Sequence, residues 1–404
     1  MNNRERQDRY PLYPLEGKTF ELMAACSFGL ESVVRREIEA LGYEVLKTED
    51  GRVTFLGDAR AIVRANLWLR TCDRVQLKMG EFDAVESEDL FQNVKKIPWE
   101  TVIPEDGKFT VLVRTVKSKL RSEPNNQKTV KKAIVERMRK TYPVDQFPET
   151  GASYTVHLQL LKDHAVLSVN TTGNSLHKRG YREAAVAAPL KETMAAAMVE
   201  LSFWHPERML IDPCAGSGTI AIEAAMIGRN IAPGIHRSFA SEEWNFIPES
   251  IWKEERKKAY QAIDFDTPLS ILAADIDPEA CEAIRVNSEA AGIAEDIQIA
   301  EGDIRETLAL SKKKGGPDFP GRGVIIMNPP YGERIGGGME IRHIYDVLQA
   351  FLEKRPDWSL FLLTNDRKLE TKGIRRQADR RRKLYNGRLC VTYYQFAGNQ
   401  RRKP

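Results

Sequence analysis

Short apolar runs recur through the second half of this chain, each closed by a polar or turn-forming residue. They are Met209-Leu210-Ile211, Leu269-Ser270-Ile271-Leu272-Ala273-Ala274, Ile297-Gln298-Ile299-Ala300, Val324-Ile325-Ile326-Met327 and Trp358-Ser359-Leu360-Phe361-Leu362-Leu363-Thr364. Runs this short, bounded by turn signals, predict strands. Behind the first run, Thr219 to Ala225 is Ala-rich and apolar and predicts the opening turns of a helix; Pro278 suits the first turn of another. After the last run, a basic stretch leads to Arg382–Phe396, where Asn386-Gly387 between two β-rich segments predicts a hairpin.

The first half is patterned differently. Thr19–Ala25 predicts a strand, Leu30–Leu41 an amphipathic helix, Glu44–Lys47 and Gly51–Phe55 a hairpin around Glu49-Asp50-Gly51, and Asp58–Leu69 a second helix. This β-α-β-β-α order suggests a small ferredoxin-like unit. Farther on, Phe109–Arg114 predicts a strand, Asn126–Arg139 a basic helix, and Tyr154–Leu160 with His164–Asn170 a hairpin turning at Lys162-Asp163.

The chemistry gathers at the ends of the C-terminal strands. Asp212-Pro213-Cys214-Ala215-Gly216-Ser217-Gly218 closes the first run; its glycines let a ligand approach the backbone. A Gly-x-Gly also opens dinucleotide folds, but Asp212 stands where an ammonium would be bound, and a carboxylate there repels a pyrophosphate. Asp275-Ile276-Asp277-Pro278 closes the second run, with Asp275 placed to bind ribose hydroxyls and Asp277 to cap a helix. Asp303, after the third, could accept from an adenine amino group. The fourth ends in Asn328-Pro329-Pro330-Tyr331. An exocyclic base amine is a poor nucleophile because its lone pair is delocalised into the ring. The Asn328 oxygen and the carbonyl preceding a proline can each accept one N–H and localise that lone pair, while Tyr331 stacks on the base. This order points to methyl transfer from S-adenosylmethionine to a nucleobase amine, with Asn328, Pro329, Pro330 and Tyr331 catalytic.

A parallel α/β sheet finishing in an antiparallel hairpin resembles the class I methyltransferase fold. The segment from Phe109 to Asn170 resembles a THUMP domain, an RNA-binding module of RNA-modifying enzymes, and Gly173–Arg182 with Ala188–Thr193 resembles the linker that joins it to a methyltransferase. The whole chain is similar to the THUMP-containing RNA guanine-N2 methyltransferases of the RlmL type, whose members are often labelled N6-adenine-specific DNA methylases. That resemblance implies a tail (1–16), a ferredoxin-like domain (17–80), a THUMP domain (81–172) and a methyltransferase domain (173–404). It implies cofactor contacts from Asp212, Cys214, Gly216, Gly218, Asp275, Ile276, Asp303, Ile304 and Asn328. It also marks 228–264, with Arg237, Phe239 and Trp244, as an insertion that either gates the base or is a plain excursion. Some relatives carry a second methyltransferase domain; this chain ends before one, so a single modification is expected.

At 404 residues the composition suits two or three domains with sizeable cores. The apolar runs are too short to span a membrane and Met1-Asn2-Asn3-Arg4-Glu5-Arg6 does not read as a signal peptide. Five scattered cysteines without Cys-x-x-Cys pairing point to a reduced, cytoplasmic protein without a metal. The net charge of +4 hides two basic clusters, ten basic residues against two acids over 114–140 and thirteen against two over 367–404. Such clusters favour a polyanionic partner. The candidate RNA contacts are Arg114, Lys131, Lys132, Arg137, Arg139, Arg179 and Arg182, with 23S rRNA the expected substrate and tRNA its rival. A DNA adenine-N6 methyltransferase shares the tetrapeptide but not the RNA-type module. A non-enzymatic S-adenosylmethionine-dependent assembly factor would not need the intact motif set. No pattern fixes an oligomeric state.

Overall fold

The computed structural model describes residues 17–184, 186, 189–308, 321–330, 338–387 and 389–399. Tyr331 and the glycines Gly336 and Gly337 lie outside them. The chain forms two compact units. The first takes the residues up to Cys26, Val34–Leu176 and Ser238–Lys258; the second takes Ser27–Val33, His177–Arg237 and Ala259 onward. Among the described residues no helix is long and apolar enough to cross a membrane.

The N-terminal elements are β1 (Phe20–Cys26), α1 (Glu31–Ala40), β2 (Val45–Glu49), β3 (Arg52–Gly57), α2 (Ala59–Trp68), β4 (Cys72–Asp83), α3 (Ser87–Lys96), β5 (Lys108–Val116), α4 (Glu123–Met138), β6 (Ser153–Leu161) and β7 (His164–Asn170). They build one seven-stranded sheet in the order β2-β3-β1-β4-β7-β6-β5. The sequence pattern suggests two separate modules here, and β4 is what joins them. The first half of this twelve-residue strand pairs with β1, Leu22 opposite Leu77, and the second half pairs with β7, Asp83 opposite His164. A register shift between Lys78 and Gly80 bends the strand between the two tasks. Leu22, Val53, Phe55, Leu77 and Leu158 of the sheet pack with Ile62, Leu67, Val130 and Ile134 of the helices in one core.

The second unit's sheet follows α5 (Glu192–Leu201) and comprises β8 (Met209–Asp212), then, after α6 (Thr219–Gly228) and α7 (Glu249–Gln261), β9 (Ile271–Asp275). Then come α8 (Pro278–Ala290), β10 (Ile297–Glu301), α9 (Ile304–Thr307), β11 (Gly323–Met327), α10 (Gly338–Lys354), β12 (Ser359–Thr364), β13 (Arg380–Asn386) and β14 (Leu389–Phe396). The order is β10-β9-β8-β11-β12-β14-β13, the first five parallel and β14 antiparallel to both neighbours. The sheet winds outward from β8 in one direction and from β11 in the other, so the switch point of the topology lies between these strands, where open α/β sheets bind ligands. Gly387 takes a positive φ of 63° in the turn between β13 and β14.

The stretch expected as an insertion is not a free excursion. Its Phe239, Trp244, Phe246 and Trp252 belong to the core of the first unit. Trp244 stacks on Tyr154 at 4.9 Å between ring centroids, Phe239 stacks on Trp252 at 5.3 Å, and Arg60 of α2 holds Glu254 at 2.9 Å and Glu255.

Candidate active site

Beyond β8 the chain must turn sharply to enter α6, and two glycines make that possible. Gly216 and Gly218 have φ of +53° and +79°, the left-handed region that side chains resist. At Gly218 a Cβ would also meet Ile284 Cγ2 at 3.0 Å. The loop is stitched to the next strand: Asp275 Oδ2 accepts from Gly216 N–H at 2.8 Å, and the Ala274 carbonyl accepts from Ala215 N–H at 2.9 Å.

This loop forms one side of a cleft of about 830 Å³ at the carboxyl ends of the parallel strands. Of the nine cofactor residues expected from the sequence, all but Gly218 line it, and Pro330 joins them. Gly218 instead serves as the cap of α6. Asp212 is 1 % exposed. Burial pushes its carboxyl well above the usual carboxylate range and the Asp275 carboxylate pushes the same way, against one hydrogen bond from Cys214 N–H. A buried carboxylate of this kind is stabilised by a cation and would oppose a polyphosphate. Desolvation and the carboxylates of Asp212, Asp275 and Asp303 push the Cys214 thiol up as well, which keeps it a neutral lining group. Asp277 caps α8 through Glu279 N–H at 2.9 Å, as expected. Asp303 caps α9 through Arg305 N–H at 2.9 Å, and its carboxylate also stands 3.4 Å from His343 Nε2.

At the end of β11, Asn328 Oδ1 is buried without a hydrogen-bond partner among the described residues. A buried acceptor left idle is costly unless a ligand supplies the donor. Three carboxylates and two permissive glycines fit the charged and hydroxylated groups of S-adenosylmethionine, and the idle amide oxygen leaves an acceptor beside it. Asp212 would face the ammonium, Asp275 the ribose and Asp303 the adenine amino group.

Sequence reasoning missed part of the lining: Val186, Pro189 and Leu190 from the segment before α5, Ser217 of the loop, Thr219 at the start of α6, and Arg305, His343 and Ile344. Of the first group, Pro189 and Leu190 fall in the stretch that resembles a linker, and none of the three, being apolar, carries a chemical signal. His343 and Ile344 lie on a helix that follows the tetrapeptide and could be placed only in three dimensions.

The expected RNA contacts divide. On α4, the side chains of Lys131 and Lys132 are 54 % and 72 % exposed, and Lys131 lies over the Phe109 ring. Arg114 is exposed on β5, whose Phe109 and Val111 are buried while Lys108, Thr110, Leu112 and Arg114 are exposed, so Arg114 shares the sheet face opposite the Phe109 side. Arg139 donates to the Asp145 carbonyl at 2.8 Å, and Arg137 is engaged by the Glu100 carboxylate through Nε and Nη2. Arg179 and Arg182 face the protein instead of solvent. Arg179 is 3 % exposed and pairs with buried Glu223 at 3.3 Å, which also accepts from the Tyr181 hydroxyl at 3.0 Å. Arg182 pairs with Glu192 at 2.8 Å. A count of charges cannot separate these two from solvated arginines, because their partners are distant in sequence.

Residues 179–395 match the methyltransferase domain described as RMKL-like, 21–76 the RlmL ferredoxin-like domain and 84–170 the THUMP domain. The chain belongs to the RMKL-like methyltransferase family. It is 43 % identical over 382 residues to a Bacillus subtilis (strain 168) protein provisionally named RNA methyltransferase YpsC, covering 94 % of this chain and 96 % of the relative. Among solved structures, that of a predicted N6-adenine-specific DNA methylase from Listeria monocytogenes superposes on this methyltransferase with a TM-score of 0.88 at 41 % identity, covering 97 % of this chain and all of that one. SMU.472, a candidate methyltransferase complexed with SAH, gives 0.87 at 40 % identity over 95 % of this chain and 99 % of its own.

Proposed function

We propose that this methyltransferase uses S-adenosylmethionine to form N2-methylguanosine in RNA, with 23S rRNA as its substrate. The observation that carries the reading is the idle, buried oxygen of Asn328 in the same cleft as Asp212, Gly216 and Asp275. S-adenosylmethionine supplies, when bound, a methyl group on a sulfonium that an amine can attack. Asn328 accepts one N–H of the base amine and a carbonyl of the tetrapeptide accepts the other, aligning the lone pair. Prolines 329 and 330 fix that backbone. Tyr331 stacks on a base taken out of its helix. No strong general base is needed, because the methylated ammonium product is acidic.

RNA, rather than DNA, is supported by the THUMP match over 84–170 and by the name of the Bacillus relative. Lys131, Lys132, Arg139 and Arg114 are the groups we assign to the RNA backbone. The DNA adenine reading has one observation in its favour, the name given to the Listeria protein, and the same base-amine geometry would serve it. Nucleoside mass spectrometry of rRNA, tRNA and DNA from cells with and without this gene separates them. Loss of N2-methylguanosine from large-subunit rRNA alone is expected. Loss from tRNA would retain the chemistry and change the substrate; loss of methyladenine from DNA would overturn the RNA assignment.

A further inference from the structure

Val186, Pro189 and Leu190, which line the cleft, lie between β7 and α5, where the described residues form neither helix nor strand. Among the described residues, two side chains tie this segment to its surroundings. Arg182 donates from Nε to Glu192 at 2.8 Å, from Nη1 to Ser217 Oγ at 2.9 Å, and from Nη2 to the Leu190 carbonyl at 2.9 Å and Thr219 Oγ1 at 3.0 Å. Two of these acceptors lie at the far end of the segment; the other two lie on the glycine loop and the first residue of α6. One guanidinium therefore ties Leu190 and Glu192 to the glycine loop and the start of α6. Asn287 of α8 holds the middle: its Oδ1 accepts from Glu183 and Ala184 N–H at 2.9 Å each, and its Nδ2 donates to the carbonyls of Ala184 and Ser217 at 2.9 and 3.1 Å.

Ser217 is where the ties converge. It sits between two glycines of positive φ, so the backbone there has little conformational preference of its own. Arg182 fixes its hydroxyl and Asn287 its carbonyl. Val186 lies over the same loop, its Cγ2 3.5 Å from where a Cβ on Gly216 would stand. With its charge balanced by Glu192, Arg182 brings fixed hydrogen-bond geometry to the loop and little net field to the cleft.

We propose that Arg182 is a positioning residue for the cofactor: it ties Leu190 to Ser217 and Thr219 and so fixes one wall of the cleft. The inference rests on the cofactor reading of that cleft. The test is calorimetric titration of the full chain with S-adenosylhomocysteine, alongside steady-state kinetics and RNA binding at several salt concentrations. Arg182→Met is expected to weaken S-adenosylhomocysteine binding and raise KM for S-adenosylmethionine by about ten-fold or more, with kcat at saturating cofactor within about two-fold. RNA affinity and its salt dependence should stay as in the wild type. Arg182→Lys should recover part of the loss, since an ammonium can satisfy Glu192 but cannot bridge all four acceptors. Should Arg182→Met fail to fold, Glu192→Gln is expected to shift S-adenosylhomocysteine affinity in the same direction by about three-fold, because it loosens the guanidinium while keeping its shape. A folded Arg182→Met, or in its place a Glu192→Gln, that binds S-adenosylhomocysteine like the wild type overturns the proposal. So does a loss confined to RNA binding, which would make Arg182 an RNA contact. Wild-type protein that bound no S-adenosylhomocysteine would overturn the cofactor reading itself.

Discussion

The two sheets of this methyltransferase have seven strands each and do different things with them. In the C-terminal sheet β10, β9, β8, β11 and β12 run parallel, so the residues that close these strands meet at one edge: Asp212, Asp275, Asp303 and Asn328 all line one cleft. In the N-terminal sheet every neighbouring pair except β5 and β6 is antiparallel, so the carboxyl ends of neighbouring strands alternate between its two ends instead of gathering at one. What this sheet offers is faces: exposed residues such as Arg114 on β5, and the lysines of α4. The parallel sheet gathers its side chains at one end, whereas the mixed one displays them on its faces.

The contrast can be broken most severely at Trp244. By chain position it belongs with the methyltransferase half; by packing it belongs to the first unit, where it is 1 % exposed. Trp244→Ala should cost about 3 to 5 kcal/mol in denaturant unfolding, with hydrogen exchange placing the loss in β6 and its neighbours. Protection lost equally from β8 and β11 would show that the units do not divide as their packing suggests. At the C-terminal edge, Asn328→Ala should lower kcat by about 100- to 1000-fold, with S-adenosylhomocysteine affinity nearly intact by calorimetry; undiminished turnover would remove Asn328 from the chemistry.

A subtler probe uses His157 on β6. Burial, aided by Arg74, lowers its pKa from 6.5 to about 4, and its Nε2 is buried without a partner among the described residues. The unfolded chain therefore takes up the proton first as the solution is acidified. Stability tied to the neutral imidazole is present above pH 6.5 and lost as the pH falls through about 4, by up to about 3 kcal/mol. His157→Gln should flatten that decline, measured as unfolding free energy at pH 7 and pH 4.5; an unchanged slope would assign it to other groups. The smallest effect is expected on α4. Replacing Lys131, Lys132 and Arg139 with Gln should reduce the slope of log affinity against log salt by about one for each phosphate no longer neutralised. No change in slope would leave the helix a solvated face. Arg137 is excluded because its partner is Glu100.

Legibility in the sequence followed the same divide. Four of the five parallel strands are short apolar runs followed by a residue with recognisable chemistry, so the strands and eight of the nine expected cofactor residues that line the cleft could be read directly, while the order of the strands in the sheet could not. The linking strand β4 could not. Asp73, Arg74, Gln76 and Lys78 interrupt its apolar positions, and a register shift breaks the alternation after Lys78. Its strandedness comes from pairing with β1 on one side and β7 on the other, partners at opposite ends of the unit's sequence. Arg179 and Arg182 were misjudged for a related reason: Glu223 and Glu192 neutralise them only after folding brings α6 and α5 alongside.

The placement of Ser238–Lys258 in the first unit has a consequence for how the protein is made. A chain emerging from the ribosome presents β1 through β7 long before Trp244 and Trp252 are synthesised, so the core around Tyr154 stays incomplete while the glycine loop and α6 are already outside. A gene fragment ending near residue 176 would encode a body without Phe239, Trp244, Phe246 and Trp252, part of its own interior. Shuffling of such halves between genes would have to carry the later segment along, which ties the inheritance of the two units together.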